Sequence, residues 1–366
     1  MKPLAVYVHI PFCPTKCGYC DFNSYAMDGD IVGRTAAAIE RQIRQSPHAG
    51  RPAKTVFFGG GTPTFLAPHD LGALLRAVLD VHPPEGDIEI TSEANPGTVD
   101  AAKFEAMREA GFNRISLGAQ SFQDEELLAL GRVHRSSEIA RAVGAARGAG
   151  FDNLNLDLMF ALPGQSARVW RENLERAIGL APDHLSLYCL TLEPNTAFYK
   201  RHLRGDLVLP EDSVQAELFL LSIQLANEAG YTQYEISNFA RLGKQCEHNL
   251  CYWRGEEYAA YGPGAVGRVG MHRATSLKHP ERYCEAVEAG APLEVEAEVL
   301  DEPTLRTERI MLGLRLNEGL EEAGLHLDEA ALEGLERRGW AVRRNGRVSL
   351  TVEGMRFCND ATVALL

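Results

Sequence analysis

Over roughly the first two-thirds of the chain, short runs of apolar and β-branched residues alternate with longer stretches in which apolar positions recur at helical spacing. Runs of four to eight such residues between turn formers have strand character, whereas recurrence at i, i+3 and i+4 over ten or more residues marks a helix. Strands are therefore predicted at Ala5–His9, Thr55–Phe58, Asp87–Thr91, Arg114–Leu117, Asn153–Leu158 and His184–Leu187. Helices are predicted between them at Ile31–Gln45, Asp70–Val81, Asp100–Ala110, Ser136–Ala149 and Arg168–Leu180, and Ser213–Ala229 follows the last strand. Asp70, Asp100 and Ser213 stand where N-caps belong, and Gly111, Gly150 and Gly230 where C-cap glycines belong. Regular strand–helix alternation predicts a parallel sheet. Six such units make this an α/β chain whose leading architecture is a partial (β/α)6 TIM-like barrel, with a doubly wound sheet as the alternative.

After Ala240 the rhythm breaks. Tyr252-Trp253-Arg254-Gly255 and Tyr261-Gly262-Pro263-Gly264 predict irregular structure against the barrel's open side. Pro303 opens a helical stretch to about Leu316, and Asp328–Arg338 reads as another helix. Trp340–Arg344 and Arg347–Thr351 flank Asn345-Gly346, a strong type I′ hairpin signal. Helices followed by a hairpin predict a small winged-helix-like unit. The chain thus divides into a barrel over 1–240, an irregular or β segment over 241–300, and a C-terminal domain over 301–366.

With 366 residues, 45% hydrophobic and 24% charged, the chain has ordinary globular composition. A net charge of −13 argues against broad binding to nucleic acid, because phosphates would be repelled by the average surface. The N-terminal residues lack a signal peptide's apolar core, and no segment approaches the roughly 18 apolar residues of a membrane helix. A cytoplasmic location follows as the expectation, with peripheral membrane contact left open. In that compartment eight cysteines suggest metal binding or burial before disulfides.

Three of the eight cluster as Cys13-x3-Cys17-x2-Cys20, directly after the first strand and so at the C-terminal face of a barrel. Three thiolates can each ligate one iron of a cubane cluster and leave the fourth iron open. The alternative is a zinc site with a fourth ligand such as His9, and with it a zinc-stabilised winged-helix interaction protein. Phe58-Gly59-Gly60-Gly61-Thr62-Pro63-Thr64 follows the second strand, and its glycines allow close backbone approach to a ligand.

The segment from Tyr7-Val8-His9-Ile10-Pro11-Phe12-Cys13 through Cys20-Asp21-Phe22 resembles the cluster loop of the radical S-adenosylmethionine (SAM) superfamily, specifically its HemN/HemW branch. The resemblance covers nearly the entire chain. It implies a [4Fe-4S] cluster on Cys13, Cys17 and Cys20, with SAM chelating the open iron and yielding a 5′-deoxyadenosyl radical on reduction. It further implies that Gly60, Gly61 and Thr62 line the SAM amino end, and that Tyr7, Phe22, Glu93, Gln120, Arg132 and Asp157 contact the cofactors. HemN dehydrogenases carry an extra cysteine where this chain has Phe22, and an N-terminal extension ahead of the residue matching Tyr7.

His248-Asn249-Leu250-Cys251-Tyr252-Trp253 matches the HNxxYW motif of the branch's haem chaperones, where it is linked to haem binding. That makes His248 the first haem-ligand candidate and Cys251 its rival. The resemblance therefore implies a haem chaperone, with haem as cargo and a haem-acceptor protein as partner. Oxidative decarboxylation of coproporphyrinogen III is the enzymatic alternative, and whether SAM cleavage is catalytic or regulatory stays open.

Overall fold

The computed structural model describes residues 2–366, and the predicted alternation is present in it as six parallel strands with their connecting helices. The order is β1 (Leu4–Ile10), α1 (Asp30–Arg44), β2 (Ala53–Gly60), α2 (Pro68–Val81), β3 (Pro84–Ala94), α3 (Ala101–Ala110), β4 (Arg114–Gln120), α4 (Asp124–Leu130), α5 (Ser136–Gly148), β5 (Leu154–Phe160), α6 (Ala167–Gly179) and β6 (His184–Cys189). Alternation along β1 shows how the layers form. Val6, Val8 and Ile10 are 0% exposed in the main hydrophobic core that includes Ile39 of α1 and Leu75 of α2. Tyr7 and His9 therefore face the opposite way, into the barrel.

Asp100 caps α3 as predicted, accepting from the Lys103 amide, and Gly111 ends that helix at φ 112°. Two expected caps are displaced. Pro68 starts α2 two residues before Asp70, which lies in the first turn, and Glu211 precedes the last helix of the barrel in the place expected of Ser213.

Downstream come α7 (Ala197–Leu203), α8 (Asp212–Glu228), β7 (Thr232–Glu235), β8 (Asn238–Ala240), α9 (Glu247–Trp253), β9 (Tyr258–Tyr261), β10 (Val266–Val269), β11 (His272–Ser276), α10 (Pro280–Ala289) and β12 (Glu294–Val299). The segment over 241–300, predicted as irregular or β, thus carries four strands and two helices. β9 pairs parallel to β1, and β10, β11 and β12 extend the same sheet antiparallel, giving the order β12-β11-β10-β9-β1-β2-β3-β4-β5-β6-β8-β7. The motif residues Tyr252 and Trp253 end α9, and Tyr261 ends β9. β9 flanks β1 and β8 flanks β6, so the six parallel strands do not close on each other. The barrel is open.

The last elements are α11 (Glu302–Gly313), β13 (Leu320–Glu321), α12 (Glu329–Arg337), β14 (Ala341–Arg344), β15 (Arg347–Leu350), α13 (Val352–Met355) and α14 (Cys358–Leu365). They surround a separate apolar core of Ile310, Leu332, Leu335, Val348 and Leu365, among others. Asn345 at φ 52° and Gly346 at φ 73° make the expected type I′ turn between β14 and β15.

Candidate functional site

At the C-terminal ends of the strands the structure opens a cavity of about 420 Å³. Cys13, Cys17 and Cys20 line one side, and Gly60, Gly61, Thr62, Glu93, Gln120, Arg132 and Asp157 line the rest, with Phe22 at the rim. Residues from five successive strand ends and the loop after β1 thus reach one space, as the C-terminal face of a barrel allows. Tyr7 does not line it. Its hydroxyl donates to His9 Nδ1 at 3.0 Å and its ring stacks on Phe57, one layer further in.

The sulfurs meet directed donors. Thr62 Oγ1 lies 3.5 Å from Cys13 Sγ, and an Arg132 guanidinium nitrogen lies 3.7 Å from Cys17 Sγ. The other Arg132 arm donates to the Gly118 carbonyl at 2.7 Å, which fixes the side chain over the loop. Burial pushes the Cys13 and Cys20 thiols up, so thiolates there need a positive partner. Among the described residues no three His, Cys, Asp or Glu side chains converge on a single-ion position. Three sulfurs spread along a cavity wall, with donors aimed at two of them, fit a polynuclear cluster whose sulfurs accept hydrogen bonds.

Across the cavity stand two acids. Burial, with the nearby Asp157 charge, pushes Glu93 up to about 8, while its carboxylate accepts from the Gly60 amide at 3.1 Å. Asp157 is also pushed up by burial, against hydrogen bonds from Asn155 at 2.8 Å and Ser116 at 3.1 Å. Two carboxyls held close with partly unmet acceptor capacity suit an ammonium or ribose hydroxyls. Gln120, at the end of β4, has φ 64°, a left-handed conformation that a non-glycine residue adopts at some cost.

The glycines on the cavity wall also serve the chain itself. A Cβ on Gly60 would lie 2.4 Å from the His9 ring, and one on Gly61 would lie 2.5 Å from the Phe12 carbonyl oxygen. Close approach is required by the chain's own cysteine loop, since the Gly61 and Thr62 amides donate to the Ile10 and Phe12 carbonyls at 2.8 and 2.7 Å. The glycine run seats the loop that carries Cys13.

The two haem-ligand candidates lie inside the protein, away from this cavity. His248 is 1% exposed, its Nδ1 is 2.8 Å from Thr55 Oγ1, and its Nε2 is 3.1 Å from the Tyr252 hydroxyl. Its ring stacks on Phe57, and burial lowers its pKa to about 3. Cys251 is also 1% exposed, and burial pushes its thiol up to about 12. Both His248 nitrogens are paired within the chain, and the Cys251 sulfur is sealed from solvent. α9 instead closes the opposite end of the barrel, where the Glu247 and His248 amides donate to the Glu89 carboxylate at 3.1 and 3.2 Å, beside buried Arg114. The HNxxYW segment plugs the barrel's base.

Sequence reasoning passed over Lys16, Ser116 and Tyr188. Lys16 Nζ donates to the Phe22 and Ser24 carbonyls and staples the cysteine loop. Ser116 and Tyr188 line the cavity because they share the inward face of β4 and β6; the period-2 pattern of Arg114–Leu117 carries Ser116, whereas Tyr188 falls one residue past the predicted strand His184–Leu187.

Residues 7–177 match the model of the radical SAM superfamily. The chain is 36% identical over 375 residues to the heme chaperone HemW of Bacillus subtilis, covering 99% of both chains. It is 43% identical over 307 residues to HemW of Escherichia coli, covering 81% of this chain and 80% of that one. This chain belongs to the HemW family of radical SAM proteins. Its fold is that of coproporphyrinogen III oxidase HemN from Escherichia coli, described as a radical SAM enzyme, with a TM-score of 0.85 and 22% identity over 99% of this chain and 90% of that one. Family membership gives the cavity a context, because a HemW-family loop with this cysteine spacing lies on its wall. No helix among the described residues is long and apolar enough to cross a membrane.

Proposed function

We propose that this chain is a radical SAM haem chaperone, which binds a [4Fe-4S] cluster and SAM in the cavity at the strand ends and carries haem to an acceptor protein. One observation carries the cofactor part: Cys13, Cys17 and Cys20 share a cavity with Glu93, Asp157 and Arg132. The cysteines would hold the cluster, with Arg132 and Thr62 hydrogen-bonding to its ligand sulfurs. When bound, a cluster with one open iron supplies the electron for reductive cleavage of SAM. The chain's own part is to orient and shield, with Glu93 and Asp157 accepting hydrogen bonds from SAM's polar groups.

Haem as cargo is supported by full-length similarity to proteins named heme chaperones. The cavity mouth adds a physical reason, since Phe22, Val133 and Tyr188 line it while 61%, 50% and 39% exposed. Large apolar side chains left open around the cavity suit a flat apolar ligand. The test is anaerobic reconstitution followed by haem titration and coproporphyrinogen turnover on the same preparation. Stoichiometric haem binding with little or no decarboxylation is expected. Robust decarboxylation by the wild type would make the protein a dehydrogenase instead.

A further inference from the structure

The Tyr261-Gly262-Pro263-Gly264 segment lies outside the residues that match the superfamily model, yet it touches the cysteine loop directly. Asn23, three residues past Cys20, donates through Nδ2 to the Pro263 and Lys278 carbonyls, both at 2.9 Å. Its Oδ1 accepts from the Tyr25 hydroxyl at 3.1 Å, and its own carbonyl lies 2.9 Å from His9 Nε2. The amide side chain is therefore fully engaged. The fit is also steric: a Cβ on Gly264 would lie 2.3 Å from Asn23 Nδ2, and one on Gly262 would lie 2.3 Å from the His9 carbonyl oxygen. Both glycines have positive φ, 107° and 78° in chain order, so two separate constraints exclude a side chain at each.

We propose that Asn23 and the Gly262–Gly264 turn form a clamp that positions the cysteine loop, so that the strands added beyond β9 set the geometry of the cluster ligands. The inference rests on reading Cys13, Cys17 and Cys20 as those ligands. The physical reason is that the loop after β1 has little regular structure of its own. Its closure depends on the Cys13 amide bonding to the Tyr25 carbonyl at 3.1 Å and the Tyr25 amide bonding to the Pro11 carbonyl at 2.7 Å. Tyr25 is held through Asn23, and Asn23 is held by the turn. Asn23 is thus a positioning residue.

The test compares Asn23→Ala, Asn23→Asp and Gly264→Ala in the full chain, with Thr55→Val at the barrel's base as a control for general destabilisation. Asn23→Asp keeps the shape and the Tyr25 bond but cannot donate to the two carbonyls. All three clamp variants should speed amide exchange at Cys13 and Tyr25 and release iron to a chelator faster than wild type, the Asn23 variants roughly thirtyfold as the loss of two net hydrogen bonds implies, and Gly264→Ala through its clash with the Asn23 amide. They should also alter the electron paramagnetic resonance change that SAM induces in the reduced cluster, while Thr55→Val leaves it unaltered. Wild type that takes up no iron would sink the cluster reading itself. Wild type with an intact cluster, and clamp variants matching it in iron release and spectrum whatever their melting temperature, would overturn the clamp.

Discussion

At the base of the barrel His248 engages Thr55 and Tyr252 with its two ring nitrogens, Glu89 takes the amides of α9, and Asn155 and Tyr234 hold His184 at 2.7 and 2.8 Å. At the mouth, four residues past Glu89 on β3 and two past Asn155 on β5, Glu93 and Asp157 face a cavity beside three cysteine thiols. Both ends are polar, in contrast to the branched apolar layers that commonly fill such barrels. They differ in what their side chains face. The base pairs both ring nitrogens of each histidine within the chain and shifts the rings' pKa down, whereas the mouth turns its acids toward a cavity and shifts them up. A motif's polar or aromatic content therefore does not distinguish a plug from a binding site, but whether its side chains line a cavity or pack against the chain does.

The largest expected effect lies at the mouth. Replacing any one of Cys13, Cys17 and Cys20 with Ala should abolish most iron and sulfide uptake on anaerobic reconstitution while leaving the far-ultraviolet circular dichroism unchanged. Stoichiometric zinc with no iron–sulfur absorbance in the wild type would dissolve the contrast, because the loop would then be a structural site.

Next comes the base. His248→Ala removes a buried ring and leaves Thr55 and Tyr252 without their partner, so urea unfolding should show a loss of about 3 kcal/mol. The haem absorption spectrum of the folded variant should match that of wild type. A changed spectrum at unchanged stability would return His248 to the role of ligand. The pKa of about 3 adds a sign: the folded ring stays neutral, so its stabilisation is complete above about 6.5 and is lost as pH falls toward 3.

The smallest effect has the opposite slope. Glu93 is raised to about 8 in the folded chain, so its contribution to stability is complete below about 4.5 and is lost as pH rises through 8. Glu93→Gln should flatten that alkaline limb, with a gain on the order of 1 kcal/mol at pH 8, well under the full shift because the carboxyl faces an open cavity. Parallel stability profiles for the two proteins between pH 5 and pH 9, scanned by thermal melts, would remove Glu93 from the strained set.

What the sequence by itself determined is what depends on neighbours along the chain. Strand and helix periods, the Asp100 cap, the Asn345-Gly346 turn and the grouping of Cys13, Cys17 and Cys20 are all local, and each appears in the structure close to where it was read. Partners far apart in sequence were decided by tertiary structure. His248 meets Thr55 across 193 positions, and Asn23 meets Pro263 across 240. Periodicity says which residues share a face, but the end of the barrel a segment packs against depends on how the whole sheet curves and which chain returns to its open edge. The HNxxYW segment could be read as a ligand or as a plug until α9 was seen beneath β2 and β3. The Gly60-Gly61 glycines announced close approach in the sequence and the Gly262-Pro263-Gly264 segment only irregular structure, and the fold showed that both meet the end of β1 and the cysteine loop that follows it.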